Sequence, residues 1–432
     1  MFSSLKIRDY RYLWMGSLCS SFGMNMQMVA RGWLIYALTG SSEKLAWVMV
    51  SFMLPQVVFS LIGGALADRL PKKMLVIGSQ SLNFIASLVL ALVIINGNVT
   101  FWHFIYFGLF NGTVLAFNMP ARDSLIPEIV GERFLLNAMA LRTTSMNLAR
   151  IVGPASAGAI IALLADGDRT STFGVGVVYC GISGLYLIAA ISTFFVHTSG
   201  HPLEKSRDSI ASDIAAGVRY VWASPVLAGL VFMSVVPFLF GMPVQSLMPA
   251  FSEDVLGGGP EDLGILMGAM GAGAIIGSLG LARMGDVGRK GYIMFGSCIL
   301  WGVGIMAFCQ SPTLPVAMVL IAMMGMFSTG FSAMNRTLIQ LSTVQAMRGR
   351  IMSIDMMVHG MMPLGILPFG LLADHIGIRF SLTLSGFMLA FLSIVLLMTL
   401  RSVREIDHGY VDLPTTQSPS GEPRAAAAVG GD

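Results

Sequence analysis

Asp355 and His359 could exchange a proton inside a membrane. Standing four residues apart, they fall on one face of a helix, one turn from each other, and a carboxyl and an imidazole so placed can share a proton whose affinity follows water access. Of the 23 acidic residues, Asp355 is the one expected to sit well inside a span. It also closely follows "RGR" at 348–350, so the other reading is an interfacial acid paired with those arginines. Arg31 offers different chemistry. A permanent cation deep in the first apolar run, with no acid in that run, suits an anionic or polar ligand; the alternative is an arginine that reaches the interface or is satisfied by backbone carbonyls. Gly16, Ser20, Gly23, Gln27 and Arg31 recur at helical spacing and form a stripe expected to face a cavity. Asn111, Asn118 and Arg122 share a face further on, and so do Asn147, Arg150 and Pro154. In the second half Ser234, Gly241 and Gln245 recur similarly, as do Ser328, Ser332 and Arg336. The expected substrate cavity is Gln27, Arg31, Asn111, Asn118, Arg122 and Gln245.

The elements that carry these groups follow from composition. The chain has 432 residues, 55% hydrophobic and 11% charged, where soluble domains carry about 25% charged residues. Twelve apolar runs are long enough to cross a bilayer, near 12–38, 45–67, 74–95, 101–121, 137–163, 173–196, 226–250, 263–282, 291–309, 313–335, 351–375 and 380–400. The expected fold is an all-α membrane protein of twelve transmembrane helices in two pseudo-symmetric six-helix bundles. With the N-terminus in the cytoplasm, 20 of the 26 Lys and Arg lie on the cytoplasmic side. Lys44, Arg169 and Arg379 fall outside, and Arg31, Arg142 and Arg150 within spans. Both termini are therefore expected in the cytoplasm.

Residues 1–196 and 226–400 form the two halves, joined by a linker at 197–225. Within it Ile210, Ile214, Val218 and Val221 recur at helical intervals, as in an amphipathic surface helix. Residues 401–432 read as a disordered cytoplasmic tail. The halves repeat one another. "GGALADRLPKKMLVI" at 63–77 has its counterpart in "GLARMGDVGRKGYIM" at 280–294, with Asp68 matching Asp286, and "SLIPEIV" at 124–130 resembles "TLIQLSTV" at 337–344. Both pairs follow the second and the fourth span of their half, as a parallel repeat requires.

These residues carry a resemblance. "GALADRLPKK" resembles the loop signature of the major facilitator superfamily, through Gly64, Leu66, Asp68, Arg69, Lys72 and Lys73, with Pro71 where the family usually has glycine. "ARIVGPASAG" at 149–158 resembles that superfamily's fifth-helix exporter motif in Gly153, Pro154 and Gly158, next to Arg150, with Ala157 replacing a usual glycine. "ARGWLIYALTGSS", "FNMPARDSLIPEIV" and "MMPLGILPFGLLAD" are similar to the bacterial branch containing the enterobactin exporter and drug-efflux proteins. The resemblance implies a secondary transporter that alternates between inward-open and outward-open states. It makes Gly64, Asp68, Arg69, Lys72, Lys73, Asp286, Arg289 and Lys290 a conformational latch. Asp68, near a helix end, could cap a neighbouring helix or pair with an arginine in one state only. The alternative for the lysines is topology and contact with lipid phosphates.

The expected function is proton-coupled efflux of small amphipathic compounds such as siderophores or drugs. An uptake carrier or lysolipid flippase of the same fold is the alternative, and a non-transporting sensor stands behind both. The expected partners are a small-molecule substrate, protons and membrane lipids, with no nucleic acid, for a monomer in the bacterial inner membrane. No enzyme, cofactor or metal is expected. No nucleophile has a base beside it, His197 and His201 lack a third ligand, and no G-x-x-x-x-G-K-[ST] occurs. Met24, Met26 and Met28 cannot converge, because alternate helical residues point about 200° apart. They read as core filling, like Cys19, Cys180, Cys298 and Cys309.

Overall fold

The computed structural model describes residues 3–67, 70–165, 172–200, 210–284, 288–344, 347, 351, 354–355 and 357–406. Among them there is helix but no strand, as lipid demands of a chain whose backbone groups must all be satisfied within the segment. The N-terminal bundle is α1 (Arg8–Thr39), α2 (Ser42–Ala67), α3 (Lys72–Ile95), α4 (Phe101–Leu164) and α5 (Phe173–Phe194); α6 (Ile210–Ala223) links it onward. The C-terminal bundle is α7 (Pro225–Phe240), α8 (Pro243–Ser246), α9 (Met248–Asp254), α10 (Pro260–Met284), α11 (Lys290–Cys309), α12 (Leu314–Leu341), α13 (Met362–Ile376) and α14 (Ile378–Thr399), followed by α15 (Arg401–Arg404). Among the described residues, eight helices are long and apolar enough to span a membrane, one of them the 64-residue α4. With α4 counted as two limbs, and with α1, α2 and the shorter α13, they make twelve.

The packing repeats between halves. α2 lies on α4 and α3 on α5; correspondingly α10 lies on α12 and α11 on α14. Across the halves, α4 meets α10 and α2 meets α13, two contacts that exchange under a pseudo-twofold axis.

Three spans depart from the expected runs. α4 continues past 121 and through 137 without a loop, broken only at Gly131, whose φ of 64° suits glycine. Its ends project beyond the apolar runs because Leu125, Ile126, Val130, Ala138 and Leu141 pack on Tyr10, Leu13 and Val196, giving the helix an apolar partner there. The run at 226–250 is three pieces rather than one. Pro237, Pro243 and Pro249 each lack the amide that an unbroken helix needs, and Gln245 sits in the short middle piece. The run at 351–375 is interrupted by a 3-10 turn, His359–Met361, immediately before α13.

One end of the bundle carries the N-terminus, the linker and the end of α14; we call it the linker end. Here Asp9 gathers the chain after α5. It accepts from the amides of His197 (2.9 Å) and Thr198 (2.8 Å), from the Thr198 hydroxyl (2.9 Å), and pairs with the His197 ring (3.2 Å). Burial alone would raise this carboxyl, but the bonds from Thr198 and then His197 hold it below the ordinary carboxylate range. A depressed carboxyl adds stability above a pH of about 4, which is lost as pH falls through the folded value. Asp9→Asn is accordingly expected to speed hydrogen exchange at His197 and Thr198 about tenfold at neutral pH. The unaltered protein should reach that rate only in acid, and equal rates in both proteins at neutral pH would contradict this anchoring.

In α6 Val221 is buried while Val218 and Trp222 are exposed. The expected tail does not begin at 401. Val403 and Ile406 are buried, and Val403 fits against Gly229, so the first residues after α14 dock on the C-terminal bundle through their apolar side chains.

Candidate functional site

α1 separates two kinds of polar face. Its Gly16–Arg31 stripe does not line the cleft between the bundles. A side-chain carbon at Gly16 would stand 3.0 Å from the Ala189 carbonyl, and one at Gly23 would stand 3.5 Å from the Tyr186 ring, so both glycines press on α5. Arg31 lies on the same inward face, buried, with its guanidinium 5.1 Å from the Phe52 ring and 3.3 Å from Met49 Sδ, both of α2. Gln27 is buried beside it. The expected cavity face is thus corrected by one residue, about 100° of rotation. Small and polar residues let helices approach within a bundle as readily as they line water.

The neighbouring face of α1 meets the other bundle. Met28 Sδ lies 3.8 Å from Gln245 Nε2, Gly32 packs on Pro249, and Tyr36 donates to Asp254 at 2.6 Å. Below these, the same face carries Met24, exposed, and Ser21 and Ser17, half-buried. Met28, read as filling, thus meets the other bundle at Gln245, and Met24 lies one turn along the same face. The other expected cavity residues divide similarly. Asn111 donates to Asn83 of α3 at 3.0 Å, inside its own bundle, and Asn118 is buried. Arg122 reaches Ser20 at 3.4 Å, while Gln245 reaches across the cleft.

The end opposite the linker is sealed between the bundles. Asp374, ending α13, accepts from the Ser41 hydroxyl (2.6 Å), the Ser42 amide (2.7 Å) and the Glu43 amide (3.1 Å), capping α2 from the other half. Beneath this cap Gly370 touches the Ser42 carbonyl and Ala46, where a side-chain carbon would come within 2.9 Å of each. Across the cleft, Gly264 approaches the Pro154 carbonyl and Gly158, leaving 2.6 Å and 3.2 Å for such a carbon, while Gly153 admits α1 at Asn25. The fifth-helix residues therefore build both the fit of α4 on α1 and the fit of the halves on each other. Arg150 is exposed, and its backbone faces Gly271. Among the described residues, hydrogen bonds join the halves from Tyr36 to Asp254, from the start of α2 to Asp374 and from Gln245 to Met28, and Gly360 packs on Val57 nearer the linker end.

In the C-terminal bundle Asp355 is buried. Ser234 donates to it at 2.8 Å, and Asn335 donates to Ser234 at 2.6 Å, so three helical segments meet on one carboxylate. The side chain of His359 lies outside the described residues. Of the signature residues, Asp68, Arg69 and Asp286 also lie outside them, and Gly64 lies in α2. Lys72 is buried and paired with Glu128 of its own bundle, and Lys73 stands over the Phe194 ring at 5.5 Å. Arg289 begins α11 with a left-handed backbone, φ 60°, next to the buried Lys290.

This cleft between repeated bundles is matched by known proteins. A family described as "Transmembrane secretion effector", within the major facilitator superfamily, matches residues 1–419. The chain belongs to that family. Among its relatives is the multidrug efflux pump Tap of Mycolicibacterium fortuitum, 27% identical over 346 residues, covering 78% of this chain and 82% of Tap. The enterobactin exporter EntS of Shigella boydii is 25% identical over 291 residues, 67% of each chain. In fold, the chain matches a bacterial homolog of the human lysosomal transporter Spinster, solved inward-facing and unoccupied, at a TM-score of 0.76 with 11% identity, covering 92% of this chain and 97% of that one. It matches the nucleoside transporter NupG at 0.68 with 14% identity, covering 92% and 99%. The chain is thus a multi-pass membrane transporter of small molecules, and its family is not a class of enzymes.

A part of the seal was legible and missed. "GLLADHIGIR" at 370–379 repeats "GALADRLPKK" at 64–73, with Asp374 in the place of Asp68 and Gly377 in that of Pro71. The seal also makes a packing prediction. Gly264→Leu should wedge α10 from α4 at a cost of about 1–3 kcal/mol. In a cysteine-free background it should speed labelling of Met28→Cys by an impermeant thiol reagent added at the sealed end. Gly280→Leu is the matched control, since nothing stands within 4 Å of that glycine's missing side chain. Equal labelling in both would contradict the packing account.

Proposed function

We propose that the chain exports small amphipathic compounds from the cytoplasm, driven by the proton gradient, and that its structure is the inward-open stage of the cycle. It works as a monomer in the inner membrane, both termini in the cytoplasm, with lipid around the bundles. The observation that carries this reading is the one-sided seal, since the hydrogen bonds from Tyr36 to Asp254 and from the start of α2 to Asp374 lie at the end away from the linker. A cleft shut at the end away from the linker receives cargo from the cytoplasm in this reading. Met24, Met28 and Gln245 line it with polarizable and neutral polar groups, which suits varied apolar bodies. Among the described residues, Asp355 is the acid buried within a bundle core, held by Ser234 in a site whose access to water changes as the halves rock. Its proton is taken up from outside and released inside as the halves rock. The names of Tap and EntS, an efflux pump and an exporter, agree with outward movement.

The direct test of direction is retention of ethidium by energised cells. Cells making the protein should hold several-fold less dye than cells making Gly264→Leu, and equal retention would contradict export of this class.

A further inference from the structure

Towards the linker end, the cleft face of α1 opens a small pocket that the transport account leaves unused. Trp14, Ser17 and Ser21 of α1 line one side; Arg122 of the first limb of α4, with Arg142 and Ser145 of the second, line the other. Two guanidiniums share this space with one carboxylate. Asp123 pairs with Arg142 at 2.5 Å, so Arg122, its chain neighbour, has no ion-pair partner of its own among the described residues. Arg122 is only 7% exposed; it gives one hydrogen bond, to Ser20 at 3.4 Å, and its buried Nε has no partner. A desolvated guanidinium without a counter-charge is costly, and such a group persists where something else supplies the anion. The Trp14 indole donates to Ser145 at 2.8 Å, fixing the pocket's apolar wall, while the hydroxyls of Ser17 and Ser21 remain along its rim.

We propose that this pocket binds an anionic group, a carboxylate or phosphate, at one end of an amphipathic molecule whose apolar body lies along Met24 and Met28. The inference rests on the export reading and adds anionic amphiphiles to its substrate class. Arg122 supplies charge-assisted hydrogen bonds in a fork that matches such a group, and Arg142, tied to Asp123, adds no second free charge. Arg31, buried against α2, stands about 16 Å further along α1 from Ser20 and takes no part.

The test uses the full chain in phosphatidylcholine nanodiscs, titrated with dansyl-aminoundecanoate and with its neutral primary amide. Energy transfer from Trp14 is read against the Trp14→Phe protein. The carboxylate is expected to bind at least about tenfold more tightly than the amide. Arg122→Gln should erase the difference, and Arg122→Lys should keep part of it. Equal affinity for the two probes, binding of neither, or a preference that survives Arg122→Gln would overturn the proposal. If Arg122→Gln does not fold, the comparison of probes on the unaltered protein and on Arg122→Lys still decides it. Proteoliposomes containing phosphatidylglycerol separate the sources of the anion. Accumulation of the carboxylate probe identifies a transported substrate; displacement of the probe by this lipid without accumulation identifies a lipid head group in the same site. Ethidium movement in the same proteoliposomes reports the export reading separately, so its loss with the carboxylate preference intact would remove that reading and leave the site.

Discussion

Removing the Asp374 carboxylate and the Tyr36 hydroxyl together is expected to swing the resting population toward the outward-open state about 60-fold. Loss of a helix cap is worth about 1 kcal/mol, and loss of a hydrogen bond to a charged group about 1.5 kcal/mol. Each 1.4 kcal/mol is roughly tenfold in an equilibrium constant. Asp374 is exposed, which keeps its share to that of an ordinary cap. The two contacts sit on different helix pairs, α13 with α2 and α9 with α1, so Asp374→Ala and Tyr36→Phe should add. The check is electron–electron double resonance between spin labels, one pair spanning the bundles at the sealed end and one at the linker end. The distance should lengthen in the first pair and shorten in the second. Unchanged distributions in the double variant would mean that packing at Gly370, Gly264 and Gly32 holds the seal without these bonds.

The second large effect is at Asp355. Asparagine keeps the shape and can still accept from Ser234 at the position now 2.8 Å away, but it cannot take up a proton. Asp355→Asn should therefore leave the fold intact and lower gradient-driven accumulation of substrate at least about tenfold, the scale of a lost proton-transfer group. Counterflow of labelled against unlabelled substrate, which needs no gradient, should persist. Driven accumulation at the unaltered rate would place coupling elsewhere.

Much of this architecture was legible in the chain. Apolar runs of span length, the basic residues between them and the repeat of Asp68 at Asp286 carry the twelve helices and their division, because bilayer thickness and backbone satisfaction leave few other solutions. The face of α1 was not legible. Gly16, Ser20, Gly23 and Arg31 have the spacing of a cavity stripe, yet in a membrane the same small and polar types serve close packing, and only the position of α5 decides between them. The converse holds for Met24 and Met28, whose thioethers give no sign of whether lipid, core or cleft surrounds them. Asp374 drew no notice at the end of the run at 351–375. Its signal was the third copy of the loop signature, on the opposite side of the membrane from the other two, where the superfamily pattern gave no reason to search. Arg122 was picked out for its place on a polar face, but its consequence depends on Arg142 arriving from across the Gly131 break to pair with Asp123, a meeting that no local spacing encodes.

The central claim, efflux by proton exchange, is tested most directly in inside-out vesicles holding the purified chain, energised to an acid lumen and loaded with a lumenal pH dye. Dansyl-aminoundecanoate and ethidium are added in turn outside. The account predicts that at least one accumulates in the lumen as protons leave it, and that Asp355→Asn stops both movements together. Accumulation with no change in lumenal pH, or proton release that persists in Asp355→Asn, would contradict it.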